Sequence, residues 1–318
     1  MKHSMVTAVI CLTASVFLLT ADSDARSIND GLGTTSFVWL KTVADAEIAS
    51  AGETLAARSG PEALLIHPAA VAGIDRGMVK MSYVSHYVDT QYGFLGYAGH
   101  VKGRDIGIRL SYVNYGEFIQ TSNAGERIGT FNAGDMGVTF NLGRKLRDDL
   151  KVGAAVSYMT SSIEDYNAQA AALDLGLLYT PPFQGLTVGA VLKNLGAVTQ
   201  SYSSGYDDRL PLYLDLGIKK QLEHAPFALF GDVIFPNDAD IVYAAGIETA
   251  IRDVLFLHAG VRSRSDIDMN AFKAETDFSS VRTFGFTIAL DRYRFSYAFM
   301  PDDAIEDTHK VTLGYNIF

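Results

Sequence analysis

The segment Asp105-Ile-Gly-Ile-Arg-Leu-Ser-Tyr-Val-Asn114 alternates between two kinds of side chain. Its apolar positions are Ile106, Ile108, Leu110 and Tyr112. Successive side chains of a β-strand point to opposite faces of the sheet, so one face of this strand is apolar and the other is small or polar. Strands of about ten residues with this alternation are typical of closed barrels that cross a bilayer.

The same alternation recurs from Met78 to Phe318 and predicts fourteen strands. An even number of antiparallel strands closes into a barrel without a free edge, so the predicted fold class is all-β, a 14-stranded antiparallel transmembrane β-barrel. The predicted strands lie near 78–87, 91–101, 105–115, 134–143, 149–161, 168–180, 185–197, 210–220, 225–235, 240–250, 253–264, 281–290, 292–300 and 309–318.

The connections between these strands differ in length at the two ends of the barrel. Those after even-numbered strands are short, and those after odd-numbered strands include the longer stretches 116–133, 198–209, 265–280 and 301–308. Bacterial outer-membrane barrels have short periplasmic turns and long external loops. The sequence therefore predicts a bacterial outer-membrane protein, in contact with lipid and lipopolysaccharide, with both chain termini in the periplasm.

Charged residues within the predicted strands keep to the inward phase. A charge facing lipid near the midplane costs about 2–4 kcal/mol, which explains the restriction. Two interpretations remain open for these residues: ion pairing that fills the lumen, or a selective permeation path. The inward charges are Arg109, Asp135, Lys151, Asp174, Lys193, Asp215, Asp232, Glu248, Arg292 and Arg294.

The first 25 residues have the features of an export signal. Lys2 and His3 give a basic start, Val6 to Leu19 is mostly apolar, and Ser23-Asp24-Ala25 offers a small-residue cleavage site. Cys11, the single cysteine, lies within this segment. We therefore assign 1–25 to a signal peptide and expect a mature chain without a disulfide or a cysteine-based metal site.

Residues 26–76 do not alternate and are too apolar for a solvated tail, so we predict an N-terminal plug (hatch) inside the lumen of the barrel formed by 77–318. The stretch Ala46 to Ala57 is expected to form a short helix, with Gly60-Pro61 beyond its end. Pro68 biases His67 toward an extended conformation. The two residues form either a tight bend in the plug or a gate or ligand contact. The plug or gate candidates are Phe37, Trp39, Leu40, Lys41, His67, Pro68 and Ala69.

Composition and motifs argue against several other functions. The chain has 26 basic and 36 acidic residues, a net charge of −10, and therefore lacks the basic footprint that nucleic acid requires. It has no His-Glu-x-x-His, Gly-x-Ser-x-Gly or phosphate-binding glycine loop, so we predict no enzyme activity, cofactor or metal site. Acidic residues in the predicted loops are either solvated or bridge a divalent ion to anionic glycolipid.

Several blocks of sequence resemble the PorV/PorQ family of FadL-like outer-membrane barrels. The N-terminal blocks are Gly33-Thr-Thr-Ser-Phe-Val-Trp-Leu-Lys41, Ser50-Ala-Gly52 and His67-Pro-Ala69, where the family usually has Asn-Pro-Ala. The remaining blocks resemble the PorQ branch and are Tyr112-Val-Asn-Tyr-Gly116, 125–135, Asp174-Leu-Gly-Leu-Leu-Tyr179, Lys193-Asn-Leu-Gly196 and Leu222-Glu-His-Ala-Pro226.

This resemblance implies a component of type IX protein secretion that anchors or docks a surface-attachment partner protein. By the same analogy the docking surface would be formed by 116–133, 198–209 and 265–280. The alternative is a FadL-type channel that takes up hydrophobic small molecules, with a hydrophobic ligand in the lumen and 28–76 as its gate. A purely structural barrel is a third, weaker interpretation.

Overall fold

The computed structural model describes residues 35–85, 90–203, 208–263, 280–301 and 306–317. The predicted signal peptide 1–25 and the terminal Phe318 lie outside the described residues, as does nearly all of the predicted loop 265–280. Within the described part of the chain, no helix is both long and apolar enough to cross a membrane.

Fourteen antiparallel strands form a closed barrel, in which each strand pairs with its sequence neighbours and β1 pairs with β14. Closure is in register from Met78 opposite Asn316 to Ser85 opposite His309. The predicted fold class is thereby confirmed. The strands are β1 Met78–Ser85, β2 Gln91–Val101, β3 Arg104–Thr121, β4 Arg127–Arg147, β5 Leu150–Ile163, β6 Tyr166–Tyr179, β7 Leu186–Gln200, β8 Tyr213–Gln221, β9 Phe227–Pro236, β10 Val242–Ile251, β11 Leu255–Ser263, β12 Ser280–Leu290, β13 Tyr293–Met300 and β14 Thr308–Asn316.

The two faces of the wall differ as the alternation predicts. On β4, Met136 and Phe140 are 67% and 57% exposed on the outer face. Thr139 and Asn141, which have the opposite phase on the same strand, are buried. Large apolar side chains remain exposed on the outer face of strands around the barrel. An apolar exterior of this extent is unfavourable in water and suits contact with lipid.

The region between β3 and β4 differs from the sequence-based expectation. Residues 116–133 were expected to form a long loop, but β3 continues to Thr121 and β4 begins at Arg127, leaving only 122–126 as the turn. The pairing shifts register between Asn114 and Glu117, next to Gly116 with a φ of 83°. This bulge interrupts the two-residue period, which is why periodicity alone ends the strand too early.

The connections at the end of the barrel that carries Met78 and Asn316 are short, as predicted: 102–103, 148–149, 180–185, 222–226, 252–254 and 291–292. At the opposite end the connections 201–212 and 264–279 are longer, but 122–126 and 164–165 are short. The length asymmetry is therefore weaker than the sequence indicates. The periplasmic position of the termini stays a prediction.

The N-terminal segment, defined here as residues 35–76, contains one helix, α1 (Ala46–Ser50), and short 3-10 turns at Val38–Lys41 and Pro68–Val71. The Asp45 side chain caps α1 by accepting from the backbone N–H groups of Glu47 and Ile48. The helix was expected to reach Ala57 but ends at Ser50. Gly52 and Glu53 follow with φ values of 75° and 57°, and this left-handed pair cannot continue a helix.

Candidate functional site

The N-terminal segment lies directly against inward-facing glycines of the barrel wall. A Cβ added at Gly189 of β7 would lie 1.6 Å from the Ala56 carbonyl oxygen, and one at Gly153 of β5 would lie 2.1 Å from that of Pro68. A Cβ added at Gly246 of β10 would lie 2.3 Å from the Ala51 carbonyl oxygen. These strands occupy separate positions around the closed ring, so the absence of side chains lets the segment approach the wall on several sides.

Acidic residues of the segment pair with basic residues of the wall. Lys80 of β1 lies 2.5 Å from the Asp45 carboxylate. Lys310 of β14 lies 2.9 Å from Glu53, which also pairs with Arg262 of β11. All of these side chains except that of Arg262 are nearly fully buried. Charges removed from water require such partners, so these pairs fix where the segment sits along the wall.

Backbone groups of the segment are also held by predicted lumen charges. Asp232 of β9 accepts from the Leu55 and Ala56 N–H groups at 2.5 and 2.9 Å. Arg109 of β3 donates to the Leu65 carbonyl at 3.0 Å. Lys193 of β7 donates to the Ile66 carbonyl at 3.3 Å and pairs with Asp174 at 2.5 Å. These residues therefore serve as anchors for the segment as well as for one another.

The other predicted lumen charges are placed as follows. Asp135 is buried and accepts from the Tyr115 hydroxyl at 2.6 Å. Glu248 lies 3.6 Å from Arg58 of the segment. The prediction for Arg292 was wrong. It was expected to face the lumen, but it lies in the turn 291–292 and is exposed. Strand β13 starts one residue later, at Tyr293, so Arg292 shares the phase of Arg294 but precedes the strand.

The predicted gate residues fall into two groups. Trp39 is buried and packs edge-on against Tyr92 of β2, with 5.8 Å between the ring centroids. Phe37 is buried nearby in a left-handed conformation, with a φ of 56°, and Leu40 packs against the same apolar cluster. Lys41, in contrast, reaches Asp238 beyond β9, at 2.5 Å.

His67, Pro68 and Ala69 form the second group and pack against β5 and β6. The His67 ring is fully buried and bonded through both nitrogens: Nδ1 accepts from the Ala69 N–H at 3.1 Å, and Nε2 donates to the Ala56 carbonyl at 3.0 Å. This pattern requires the neutral ring. Burial lowers the pKa of His67 to about 3, so the ring stays neutral at ordinary pH.

Glu47, Glu248 and His258 form a compact cluster in which one donor atom from each lies within 4.8 Å of the others. The set of donors is one that a divalent metal accepts. However, Arg294 already donates to both carboxylate oxygens of Glu47, and Arg58 lies beside Glu248. Positive charge is thus supplied by the two guanidinium groups, and the cluster is an ion-pair network.

Sequence reasoning missed several of the wall residues that hold the segment. Lys80 and Lys310 are buried, and each lies on the inward phase of its strand. The same phase argument that located Asp215 and Asp232 could have identified both lysines. Glu47 and Glu53 carried no comparable signal, because the N-terminal segment has no two-residue period.

A cavity of about 300 Å³ lies between the N-terminal segment and strands β8 to β13. Its lining includes both charged and aliphatic side chains. Asp215, a predicted lumen charge, is 1% exposed and is one of the charged ones. The charged lining residues are Lys41, Glu53, Asp215 and Arg262, and the aliphatic ones include Val43, Leu55, Ile234, Val242 and Val281.

Comparison with known proteins bears on the fold. No family model and no curated protein matches the chain. The solved structure of the toluene transporter TodX from Pseudomonas putida aligns over 87% of this chain and 99% of its own, with a TM-score of 0.61 and 14% identity. The toluene transporter TbuX from Ralstonia pickettii aligns over 88% and 99%, with a TM-score of 0.58 and 13% identity.

A FadL homologue from Pseudomonas aeruginosa also aligns, over 87% of this chain and 99% of its own, with a TM-score of 0.56 and 12% identity. The chain has the FadL-like barrel fold. At these identities the likeness concerns the fold alone. The coarser part of the resemblance found in the sequence, a FadL-like barrel, is thus confirmed, whereas the finer PorV/PorQ assignment and a type IX secretion role receive no support from these comparisons.

Proposed function

We propose that this chain is an outer-membrane channel for small hydrophobic molecules, with the N-terminal segment as its plug and gate. The observation that carries the proposal is the cavity of about 300 Å³ between that segment and the wall, inside a barrel with the fold of two toluene transporters. Its size is at the lower end of the range of small-molecule sites, about 300–1,000 Å³.

The chemistry of the contact supports a gate that moves. Ion pairs, backbone hydrogen bonds and glycine contacts hold the segment to the wall, and among the described residues no disulfide joins the two. Each ion pair joins the segment to particular residues of the wall. The pairs on one side of the segment can therefore break while those on another side remain. Release near Lys41 and Glu53 would open the cavity along β11.

The outer face supports a location in a bilayer. Exposed apolar side chains such as Leu216 and Leu257 alternate with buried polar ones such as Asp215 and His258 on the same strands. Water would not accommodate this arrangement, but acyl chains would. The short turns at the end that carries Met78 and Asn316 support a periplasmic position for that end.

Uptake of radiolabelled toluene tests the proposal. The protein is expressed in the outer membrane of a host that lacks its own hydrocarbon channels, and initial rates are compared with those of the empty host and of a chain lacking residues 35–76. We expect faster toluene uptake with the intact chain and no increase for a labelled trisaccharide. Deletion of the segment should admit the sugar as well. Toluene uptake equal to that of the empty host would contradict the channel.

One observation favours a second function, the docking of a surface partner protein as implied by the PorQ-like resemblance. Residues 117–121 of β3 and 127–132 of β4 pair as strands only with each other in the described part of the chain, because β4 first pairs with β5 at Ala133. This hairpin extension leaves Ile119 and Ile128 58% and 61% exposed, near the stacked rings of Phe118 and Phe131.

A paired substitution tests this second function. Ile119→Ser with Ile128→Ser should abolish co-purification of a surface-attachment protein in gentle detergent, as measured by quantitative mass spectrometry, and leave toluene uptake unchanged. Ile251→Ser is the matched control, since Ile251 is an exposed isoleucine at the other end of the barrel. Identical sets of co-purified proteins from all variants would exclude docking on the hairpin extension.

A further inference from the structure

Asp215 has an unusual position in the cavity. Its side chain lines the cavity and is almost completely shielded from solvent, yet its Oδ1 atom has no hydrogen-bond partner among the described residues. A buried acceptor without a partner is unfavourable, because it has lost its bonds to water and gained none in return. The free oxygen therefore marks a place where a bound molecule can supply a donor.

The other charged groups of the cavity already have partners. Lys41 is paired with Asp238, and Glu53 is paired with both Arg262 and Lys310. Asp232 repels Asp215 and Arg262 attracts it, but the hydrogen bond of Arg262 goes to Glu53. The Asp232 carboxylate of β9 already accepts from the N–H groups of Leu55 and Ala56. Among the charged lining residues that the structure describes, Asp215 thus has one carboxylate oxygen without a hydrogen-bond donor.

We propose that the cavity binds small hydrophobic molecules that carry one hydrogen-bond donor, a hydroxyl or an ammonium group, and that Asp215 accepts that hydrogen bond. This inference rests on the proposed function and specifies its ligand class. The aliphatic lining residues Val43, Leu55, Ile234, Val242 and Val281 would contact the apolar body of the ligand. The volume suits a body of about one aromatic ring.

Hydroxyl and ammonium groups differ in how they depend on the charge of Asp215. An ammonium ligand needs the carboxylate, because two charges removed from water require each other. A hydroxyl ligand needs only an acceptor oxygen, which an amide also provides. Asp215→Asn therefore separates the two kinds of ligand, and Asp215→Leu removes the acceptor altogether.

Calorimetric titration of the full barrel in detergent tests the inference with toluene, benzyl alcohol and benzylamine. The three probes share one ring and differ in the donor. For the wild type we expect benzyl alcohol and benzylamine to bind at least tenfold more tightly than toluene. Asp215→Leu should erase both preferences, and Asp215→Asn should keep the alcohol preference and lose that for the amine. Micelle partitioning is the same for all variants and cancels in these comparisons.

Asp135→Asn is the matched control, because Asp135 is an inward-facing buried carboxylate that does not line this cavity. It should leave the ranking of the three probes unchanged. The same affinity for all three probes in the wild type, or a donor preference that survives Asp215→Leu, would overturn the inference. Should Asp215→Leu fail to fold, Asp215→Asn still tests the inference. Loss of its amine preference would support the role of Asp215, and retention of that preference would contradict it.

The outcome is separable from that of the proposed function. Toluene uptake without any donor preference would refute the role of Asp215 and leave the channel standing. A donor preference that depends on Asp215, together with uptake no faster than in the empty host, would refute transport and leave the binding site.

Discussion

Arg294 of β13 donates to both carboxylate oxygens of Glu47 in α1, from Nε at 2.8 Å and from Nη2 at 2.5 Å. Both side chains are largely buried, at 14% and 4% exposure. Burial acts to raise the pKa of Glu47, but the Arg294 guanidinium outweighs it and holds that pKa below the ordinary value. This two-point contact fixes the orientation of α1 as well as its position, which a lysine at 294 could not do.

Removal of this contact should release α1 from the wall. Arg294→Met leaves Glu47 buried without its partner, and breaking a buried pair in this way costs about 3–5 kcal/mol. We expect amide hydrogen exchange of residues 46–58 to become much faster, while exchange in β13 and β14 changes little. Arg282→Met is the control, since Arg282 is an exposed arginine on the adjacent strand β12. Unchanged exchange in 46–58 would show that the pair does not anchor the segment.

A second prediction concerns the space between the segment and β7. Gly189→Ala would place a methyl group 1.6 Å from the Ala56 carbonyl oxygen, so the segment must shift away from the wall. Overpacking of this kind costs about 1–3 kcal/mol. We expect a lower thermal midpoint of unfolding in detergent and faster proteolysis within 35–76.

Gly231→Ala provides the comparison on β9. The nearest atom to a Cβ at Gly231 is Cγ1 of Ile218, at 3.9 Å, an ordinary contact distance. This variant should match the wild type in both measurements. Equal destabilisation by the two substitutions would mean that contact with the segment is not what requires glycine at 189.

The sequence predicts the faces of this barrel well because the period of a strand is imposed by its backbone. Leu173, Asp174 and Leu175 illustrate this: the two leucines were expected outside and the aspartate inside, and the structure places them so. The hairpin extension of β3 and β4 was missed because the bulge at Gly116 breaks the period.

The sequence does not predict which residues of the N-terminal segment and the wall form pairs inside the lumen. Glu53 meets Arg262 and Lys310 only after the ring has closed, because these residues are separated by more than two hundred positions. Periodicity states which side of the wall a residue faces and does not state what lies opposite it. The cavity at Asp215 was therefore unpredictable, although the inward direction of Asp215 itself was predicted correctly.

Leu216 tests the assignment of the outer face to lipid. It is 43% exposed near the middle of β8, between Ala190 of β7 and Val233 of β9. An arginine facing the hydrocarbon near the midplane costs about 2–4 kcal/mol, so Leu216→Arg should reduce the folded fraction in membranes. The folded form is quantified by its altered mobility on gels of unheated samples. Asp215→Asn, one residue away on the inner face, should fold nearly as well as the wild type, and equal folding of both variants would reverse the assigned faces.

His67 should make the docking of the N-terminal segment sensitive to acid. Burial lowers its pKa to about 3, whereas the unfolded chain has an ordinary histidine with a pKa of 6.5. Between these values the released segment binds more protons than the docked one, so docking is favoured fully above pH 6.5 and weakens as the pH falls toward 3. Each pH unit in this window corresponds to about 1.4 kcal/mol.

His67→Asn removes this titration and keeps an oxygen that can accept from the Ala69 N–H. We expect the wild type to lose on the order of 2–3 kcal/mol more docking free energy than the variant between pH 6.5 and pH 4.5. The measurement is exchange of the Ala69 and Ala70 amides, corrected for the intrinsic effect of pH. His100→Asn, at an exposed histidine beside Asp105, should behave as the wild type does. If wild type and His67→Asn weaken in parallel, protonation of His67 does not control the segment.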